Sequence, residues 1–556
     1  MTSVGIALKP HASMTRRLFR TGIQLGVIAT LVLLTIIFLD NRYRVLPTSI
    51  HNHLPAHHPG FVVTDITVVT CSSLNPFSSC TKDGAYWHRI NKDLYLNKGY
   101  ISKAYLLVER KRETDLKPHE EVVHDIKVGR LQPSSIGTTS KDERWESRPA
   151  GIWIKKSAKR NDEHKIVTGV DVLFGADAAD PRSNWNVQDI SLFIDGGSNA
   201  AEPRLTVRKG PAIKVEKPIP RIRKDGKFKI MQAADLHLAT GLGECRHALP
   251  ERSKCEADPR TFEFLERLID EESPDFVVLS GDQVNGDTAP DSQTAIYKYS
   301  ELFARHRIPY AGIFGNHDDE GDLDRAASMA IMDGLPYSLS TAGPEDVDGV
   351  GNYVVEILGR GSTSHSALTL YMLDTHAYSP DEHKYHGYDW LKQSQIDWFK
   401  TTSQHLKRKH REYTHIHMDL AFIHIPLPEY RNPDGLKWVG NWTEPPTAPA
   451  YNSNFKDALV EEGIVMVSCG HDHVNDYCLP ALDKDKKKPA LWMCYGGGAG
   501  FGGYGGYYGY HRRVRFFDFD MNEARITTWK RLEWGDTKSR IDEQIIVDGG
   551  KVVVDL

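Results

Sequence analysis

The sequence of 556 residues predicts an α/β fold of two layered β-sheets flanked by helices, preceded by a β-rich N-terminal domain and one transmembrane helix. Three observations carry that expectation. Beyond residue 227, compact apolar runs alternate with helical stretches; between 61 and 208 the apolar runs are short and alternating; near the N-terminus one stretch holds no charge at all. The length exceeds a single ordinary core, since domains hold ~100 to 200 residues. With 40% hydrophobic and 26% charged residues, the composition is that of a globular protein.

The uncharged stretch is residues 22–39, which at ~1.5 Å per residue spans roughly 27 Å, close to the hydrocarbon thickness of a bilayer. A cleaved signal peptide is the rival reading. Its apolar region would run ~7 to 15 residues and end at a small-residue cleavage site, whereas Asp40, Asn41, Arg42, Tyr43 and Arg44 follow here. Lys9, Arg16, Arg17 and Arg20 precede the span without an acid. The positive-inside rule therefore places residues 1–21 in the cytosol and makes the chain a single-pass type II membrane protein. The bulk would lie in the lumen of the secretory pathway, in the vacuole, or outside the cell. Cysteine spacing suits such an oxidising compartment: Cys71 with Cys80, Cys245 with Cys255, and Cys469 with Cys478 lie close in sequence, leaving Cys494 over. Isolated buried thiols are the alternative. The sequon Asn441, Trp442, Thr443 agrees with a glycosylated lumenal domain.

Residues 40–60 are rich in His and Pro, with Pro47, Pro55 and Pro59 breaking any regular element, and read as a stalk. Runs at 61–69, 104–108, 152–154, 166–174, 190–194 and 205–207 then read as strands of a β-sandwich within a domain over 61–210. A Pro, Lys and Arg-rich linker covers 211–226. The last domain, 227–556, offers strand-like runs at 228–233, 276–279, 310–314, 368–373, 420–423, 464–467, 491–494 and 514–519, with helical stretches at 262–271 and 294–305. A formal net charge of -5 excludes a global electrostatic case for nucleic-acid binding. Lys484, Lys486, Lys487 and Lys488 are interleaved with Asp483 and Asp485, which describes a solvated loop.

Five polar clusters follow strand-like runs: Asp235 to His237, Gly281 to Asn285, Gly315 to Asp318, His424 alone, and Gly470 to His473. Loops at strand ends are where open α/β sheets assemble a site. Imidazoles, two carboxylates and an amide oxygen suffice for two adjacent cations that share one carboxylate. These ligand types suit Zn, Fe or Mn, and such pairs ~3.5 to 4 Å apart drive in-line phosphoryl displacement. Singly, Asp235 with His237 could form a turn and His424 could be a core histidine. Imidazole-bearing polar residues at the ends of several apolar strands are costly to bury unpaired.

In order and spacing the five clusters match DxH, GDxxx, GNH[DE], H and GHxH, and between Ile230 and His473 the chain resembles the calcineurin-like metallophosphoesterases. The strings around Asn285, Thr375 to Tyr378, and Tyr388 to Trp390 look like fungal membrane-anchored phosphatases related to purple acid phosphatases. Two departures from the latter, His237 in the first motif and Asn285 at the position of the chromophoric tyrosine, argue against a purple Fe(III) centre. The resemblance implies a layered metallophosphoesterase β-sandwich and a centre of two divalent or mixed-valence ions. In it Asp235, His237 and His473 would hold one ion, Asn316, His424 and His471 the other, and Asp282 would bridge them. A metal-bridging hydroxide would then attack phosphorus in line. His317 is left as the catalytic acid, with Asp318 orienting its imidazole by a hydrogen bond.

His376, His383 and His386 follow a probable strand and could bind substrate phosphate, a solvated or structural role being the alternative. The run 496–510, with nine glycines and five aromatics, could lid the site or be a plain low-complexity loop; no catalytic part is assigned to it. The expected reaction is hydrolysis of a phosphomonoester, on protein or a small molecule. A phosphodiesterase built on the same centre and a non-catalytic, membrane-anchored binding module are the two rivals.

Overall fold

Short alternating strands need a second layer to cover their apolar face, and the strands between residues 61 and 209 find it in one another. The computed structural model describes residues 12–43 and 60–554, apart from 73–79, 100, 118, 131–142, 160–162, 195–200, 216, 251–253, 411–416, 433–435, 484, 486–487 and 505–508. Strands β1 (Phe61–Ser72), β2 (Trp87–Arg89) and β3 (Ser102–Arg112) form one small sheet; β4 (Val122–Val128), β5 (Glu143–Ser147) and β6 (Ile152–Ser157) form a second; β7 (Val167–Phe174), β8 (Trp185–Val187) and β9 (Pro203–Lys209) form a third. Ile66, Leu106, Ile126, Ile154, Val172 and Leu205 share one core among them. The region is β-rich as expected, but as three small sheets around one core rather than a two-sheet sandwich. The run at 190–194 is not a strand: Ile190 and Phe193 are exposed, and β8 takes the edge position beside β9 instead.

The C-terminal half begins with β10 (Lys227–Ala233), β11 (Phe276–Ser280) and β12 (Tyr310–Ile313), paired in parallel. A second sheet follows, of β13 (Tyr353–Leu358), β14 (Ser366–Met372), β15 (Met418–Phe422), β16 (Met466–Cys469), β17 (Cys478–Leu482) and β18 (Pro489–Tyr495), in the order β13-β14-β15-β16-β18-β17. The chain then returns to the first sheet through β19 (Arg513–Asp520), β20 (Arg525–Leu532), β21 (Ile541–Asp548) and β22 (Lys551–Val552), giving β12-β11-β10-β19-β20-β21-β22. Every residue of β11, β14 and β15 is buried, as parallel strands covered on both faces require. One core joins Val278 and Phe517 of the first sheet to Leu370, Phe422 and Trp492 of the second, together with Phe264 and Tyr299 from helices Ala257–Glu272 and Ser292–His306. A second core joins Tyr371, Val467 and Met493 to Phe399 and Leu459 from helices Gln393–His410 and Phe455–Glu461. The second sheet thus contributes side chains to both cores.

The β-rich region is fastened to the helix Ser292–His306. Lys92 is buried in an ion pair with Asp291 at 2.8 Å and donates to Val172 O, and Phe174 N donates to Thr294 Oγ1 at 3.2 Å. At the N-terminus the expected span 22–39 falls inside helix Ala12–Tyr43, whose described apolar side chains, such as Leu25 and Leu31, are exposed. Among the described residues no helix is long and apolar enough to cross a membrane. Most of the expected stalk, together with Lys484, Lys486 and Lys487, lies outside the described residues.

Disulfides join Cys71 to Cys80 and Cys245 to Cys255. The third corrects the expected pairing: Cys478 is bonded to Cys494, and Cys469 is the buried free thiol. Antiparallel register is the reason, because it places Cys478 of β17 directly opposite Cys494 of β18.

Candidate metal centre

Parallel pairing within each sheet brings the C-terminal strand ends to a common edge. Asp235 and His237 follow β10, Asp282 follows β11, Asn316 and His317 follow β12, His424 follows β15, and His471 and His473 follow β16. Asp235 (φ 57°), His237 (φ 47°), Asp282 (φ 52°) and His471 (φ 77°) all hold left-handed backbone. That conformation costs a residue other than glycine about 1–3 kcal/mol and persists only where the surroundings over-determine it.

The surroundings do so with carboxylates. Asp318 Oδ2 accepts from Asp282 N at 2.9 Å and Gly315 N at 2.7 Å, and its Oδ1 accepts from Val284 N at 2.8 Å. His317 N donates to Asp282 Oδ1 at 2.8 Å, and His471 N donates to both oxygens of Asp235 at 3.1 Å. Gly315 tolerates no side chain, since a Cβ there would lie 2.1 Å from Asp282 Oδ1.

Two buried ligand groups result. Asp235, His237 and His473 form one, and Asp282, His424 and His471 the other, with the ligand atoms within 4.8 Å of one another in each. Asp282 Oδ2 lies 3.2 Å from His424 Nε2 and 3.7 Å from His237 Nε2, so it stands between the two groups. Asn316 Oδ1 and His471 Nε2 are buried there without a hydrogen-bond partner, and His424 Nε2 faces Asp282 outside hydrogen-bonding geometry. Leaving such atoms unsatisfied is unfavourable by about 1–3 kcal/mol each.

The imidazole tautomers point to cations. His473 Nδ1 lies 2.8 Å from Tyr504 O and His424 Nδ1 lies 2.9 Å from Ser280 O, and each must donate because a carbonyl only accepts. His237 Nδ1 faces Asn285 Oδ1 at 3.3 Å, the Asn285 amide nitrogen being engaged by Thr288 Oγ1. Nε2 is therefore the lone-pair atom of each of these rings in its neutral form. His237 Nε2 and His473 Nε2 nevertheless lie 3.0 Å apart, a repulsive arrangement without positive charge between them. Burial pushes His237 and His471 down to about 3, which keeps both rings neutral. Burial also opposes a charge on His424, yet the Asp282 carboxylate raises it to about 9. The pocket thus draws in positive charge, and its donors of imidazole, carboxylate and amide oxygen suit Zn, Fe or Mn.

Residues 500–504 of the glycine-rich run are a wall of this centre. A Cβ on Gly500 would lie 1.9 Å from Leu236 O, and one on Gly503 would lie 2.5 Å from His237 Cδ2 and 2.7 Å from His473 Cε1. Tyr504 stacks on His473 at 3.9 Å; its hydroxyl accepts from His473 N at 3.0 Å and donates to His471 O at 3.1 Å. Across the centre Tyr388 meets His471 edge-on at 4.4 Å, and Tyr378 stacks on Tyr388 at 5.8 Å. Glycine density and aromatic spacing were the sequence signals for residues 500–504.

His317 stands 5.3 Å, ring to ring, from His237 and is part-exposed. The partner expected for it, Asp318, is engaged by three backbone N–H groups, and Glu320 holds His317 Nδ1 instead at 2.6 Å. Burial works against a charge on His317, but Asp282 and Glu320 raise it above its ordinary value. Of the expected substrate-binding residues, His376 is spent on Gln395 Oε1 at 2.8 Å. His386 is exposed and paired with Glu382, and His383 is exposed.

Two ligand groups around one shared carboxylate, at the common edge of two layered sheets, define a hydrolase of the two-metal kind. The model of the calcineurin-like phosphoesterase family matches residues 228–475. The chain is similar to phosphatase DCR2 of Saccharomyces cerevisiae, 40% identical over 404 residues that cover 70% of this chain and 68% of that protein. It is also similar to probable inactive purple acid phosphatase 29 of Arabidopsis thaliana, 37% identical over 350 residues that cover 59% of this chain and 87% of that one. A dimetal phosphatase from Danio rerio is a slighter structural likeness, with a TM-score of 0.38 at 13% identity, covering 58% of this chain and 99% of that one. The chain belongs to the calcineurin-like phosphoesterases and is a hydrolase of phosphoric esters.

Proposed function

We propose that this chain is a phosphomonoesterase with a dinuclear metal centre, acting on phosphorylated protein or a small phosphate ester. The facing of His237 Nε2 and His473 Nε2 at 3.0 Å beside Asp282 carries the reading. Asp235, His237 and His473 would hold one ion and Asn316, His424 and His471 the other, with Asp282 shared. When bound, such ions neutralise the phosphoryl oxygens and make water acid enough to serve as nucleophile near neutral pH. His317, its Nδ1 held by Glu320, keeps a proton on Nε2 for the leaving oxygen. That donor supports action on esters of alcohols, whose alkoxide leaves poorly without a proton, and the choice of the monoester follows the likeness to phosphatase DCR2. Turnover of p-nitrophenyl phosphate against bis(p-nitrophenyl) phosphate tests it: the monoester should be faster, and a preference for the diester would overturn the assignment. Metal analysis should find two ions per chain, and fewer in His471→Ala.

We also propose the division of the chain read from its sequence, with residues 22–39 as a signal anchor, 61–210 as a β-rich domain and 227–556 as a lumenal or extracellular catalytic domain. The uncharged span behind Arg16, Arg17 and Arg20 supports it, as do three disulfides beyond the span. Asn441 is exposed and should carry glycan. An unmodified Asn441 together with cleavage beyond residue 39 by cytosolic protease would reverse the orientation.

A further inference from the structure

Where the β-rich region meets the helices of the C-terminal half lies a cavity of about 230 Å³, none of whose lining residues belongs to the metal centre. Its wall is apolar at Ile90, Val170, Ile331 and Leu335, and charged at Arg208, Arg182 and Asp171. Arg208, only 7% exposed, donates through Nε to Thr168 Oγ1 at 3.0 Å and through one Nη to Thr168 O at 3.2 Å. The other Nη has no protein acceptor, and no carboxylate pairs with this guanidinium among the described residues.

A buried cation without a counter-charge is unfavourable by several kcal/mol. Burial, and then the like charge of Arg182, brings Arg208 down to about 10, well below the usual guanidinium value. Arg182 by contrast is satisfied, by Asp180 at 2.7 Å and Asp171 at 3.4 Å. Both guanidiniums crowd the Trp185 ring, Arg182 at 3.7 Å and Arg208 at 5.4 Å from its centroid. Asp180 and Asp171 are both engaged by Arg182, so Arg208 alone lines the cavity with a guanidinium that no carboxylate faces. The cavity's volume is below the ~300–1,000 Å³ of pockets that take drug-sized ligands, which limits the occupant to a small molecule.

We propose that this cavity is an accessory binding site for a small organic anion, a carboxylate or phosphate group on an apolar body, with Arg208 as its counter-ion. The guanidinium fork matches two oxygens of either group. The apolar wall and the Trp185 indole take the rest.

Calorimetric titration of the full chain tests this with phenylphosphonate and benzoate as probes and benzyl alcohol as the uncharged control. Phenylphosphonate should fill two classes of site, one at the metal centre and one in the cavity. Arg208→Met should weaken the second class at least tenfold and leave the first unchanged. Ala212→Phe, which narrows the cavity without touching Arg208, should do the same while p-nitrophenyl phosphate turnover stays at the level of the parent chain, and it decides the matter should Arg208→Met fail to fold. Benzoate binding that is also lost in both variants would show the cavity to accept carboxylates; benzoate silence with phosphonate binding would restrict it to phosphate esters. No phenylphosphonate binding that either variant alters, or equal binding of benzyl alcohol, would overturn the proposal. Turnover is measured separately, so loss of the accessory site is distinguishable from failure of the phosphatase reading.

Discussion

Replacing Glu320 by Gln separates the charge on His317 from the hydrogen bond that orients it. The Gln amide oxygen can still accept from Nδ1 across the 2.6 Å contact, so the ring keeps its place while its anionic partner goes. The two side chains are 28% and 25% exposed, and solvent screening holds such a pair to about 1 kcal/mol. At 1.36 kcal/mol per unit that is a little under one pKa unit. Asp282 continues to raise His317 after the change, so the group stays a proton donor but a weaker holder of its proton.

The sign follows from the role. Turnover that needs protonated His317 is complete below its pKa and is lost as pH rises through it; lowering that pKa moves the alkaline limb of the kcat profile down by about 0.5–1 unit. The assay is kcat against pH on an alkyl phosphate and on p-nitrophenyl phosphate, with metal content as the control. An alkoxide needs a proton as it leaves and a nitrophenolate does not. The variant should therefore lose roughly 3- to 10-fold on the alkyl ester above the shifted limb and little on the aryl ester. An unmoved limb, or equal losses on both esters with two metals still bound, would refute His317 as the proton donor and Glu320 as its holder.

Asp318→Ala strands three backbone donors in a side-chain site that is 3% exposed and should lower unfolding stability in urea by about 3–5 kcal/mol; a change under about 1 kcal/mol would contradict the fastening role. Gly503→Ala drives a methyl into His237 and His473, so metal content should fall from two ions toward one and turnover should fall with it, whereas full metal content with normal turnover would show the run to be a passive loop. Asp476→Asn removes the shared partner of Arg513 and Lys530 and should cost about 3–5 kcal/mol at neutral pH. Burial would raise Asp476, but Arg513 and Lys530 hold it well below its ordinary value; its contribution is therefore full above the unfolded pKa of ~3.9 and drains as pH falls through the folded one. The difference in melting temperature between parent and variant should narrow on acidification, and a constant gap would count against that pairing.

Much of the catalytic half could be read from the sequence because its parallel strands are buried on both faces and so appear as unbroken apolar runs, of which Phe276–Ser280 and Ser366–Met372 are examples. Strands β20 and β21 escaped the same reading. In β20, Thr528, Lys530 and Arg531 are buried by virtue of partners far away in sequence, so its polar letters hide a core strand. Cys494 was assigned no partner because nearness in sequence was used where register decides. The β-rich region yielded its strand content and not its three-sheet arrangement, since short edge strands such as β8 leave no clear period.

The ligand residues were legible for a reason that does not extend to what surrounds them. A ligand must be one of a few residue types, so His, Asp and Asn at strand ends announce themselves. What fixes the ligands is often backbone: Ser280 O orients His424, and Tyr504 O orients His473. A carbonyl belongs to every residue and leaves no letter to find. The same holds for the glycines at 500 and 503, whose contribution is the absence of a side chain where His237 and His473 come close. Even Asp318 was found at the right place with the wrong partner, because the sequence shows a carboxylate beside His317 and only the left-handed turn at Asp282 sends that carboxylate to three backbone donors instead. Metal affinity in this centre therefore depends on geometry set by groups of no distinctive chemistry, and changes in the glycine run should alter metal content as strongly as changes in the ligands themselves.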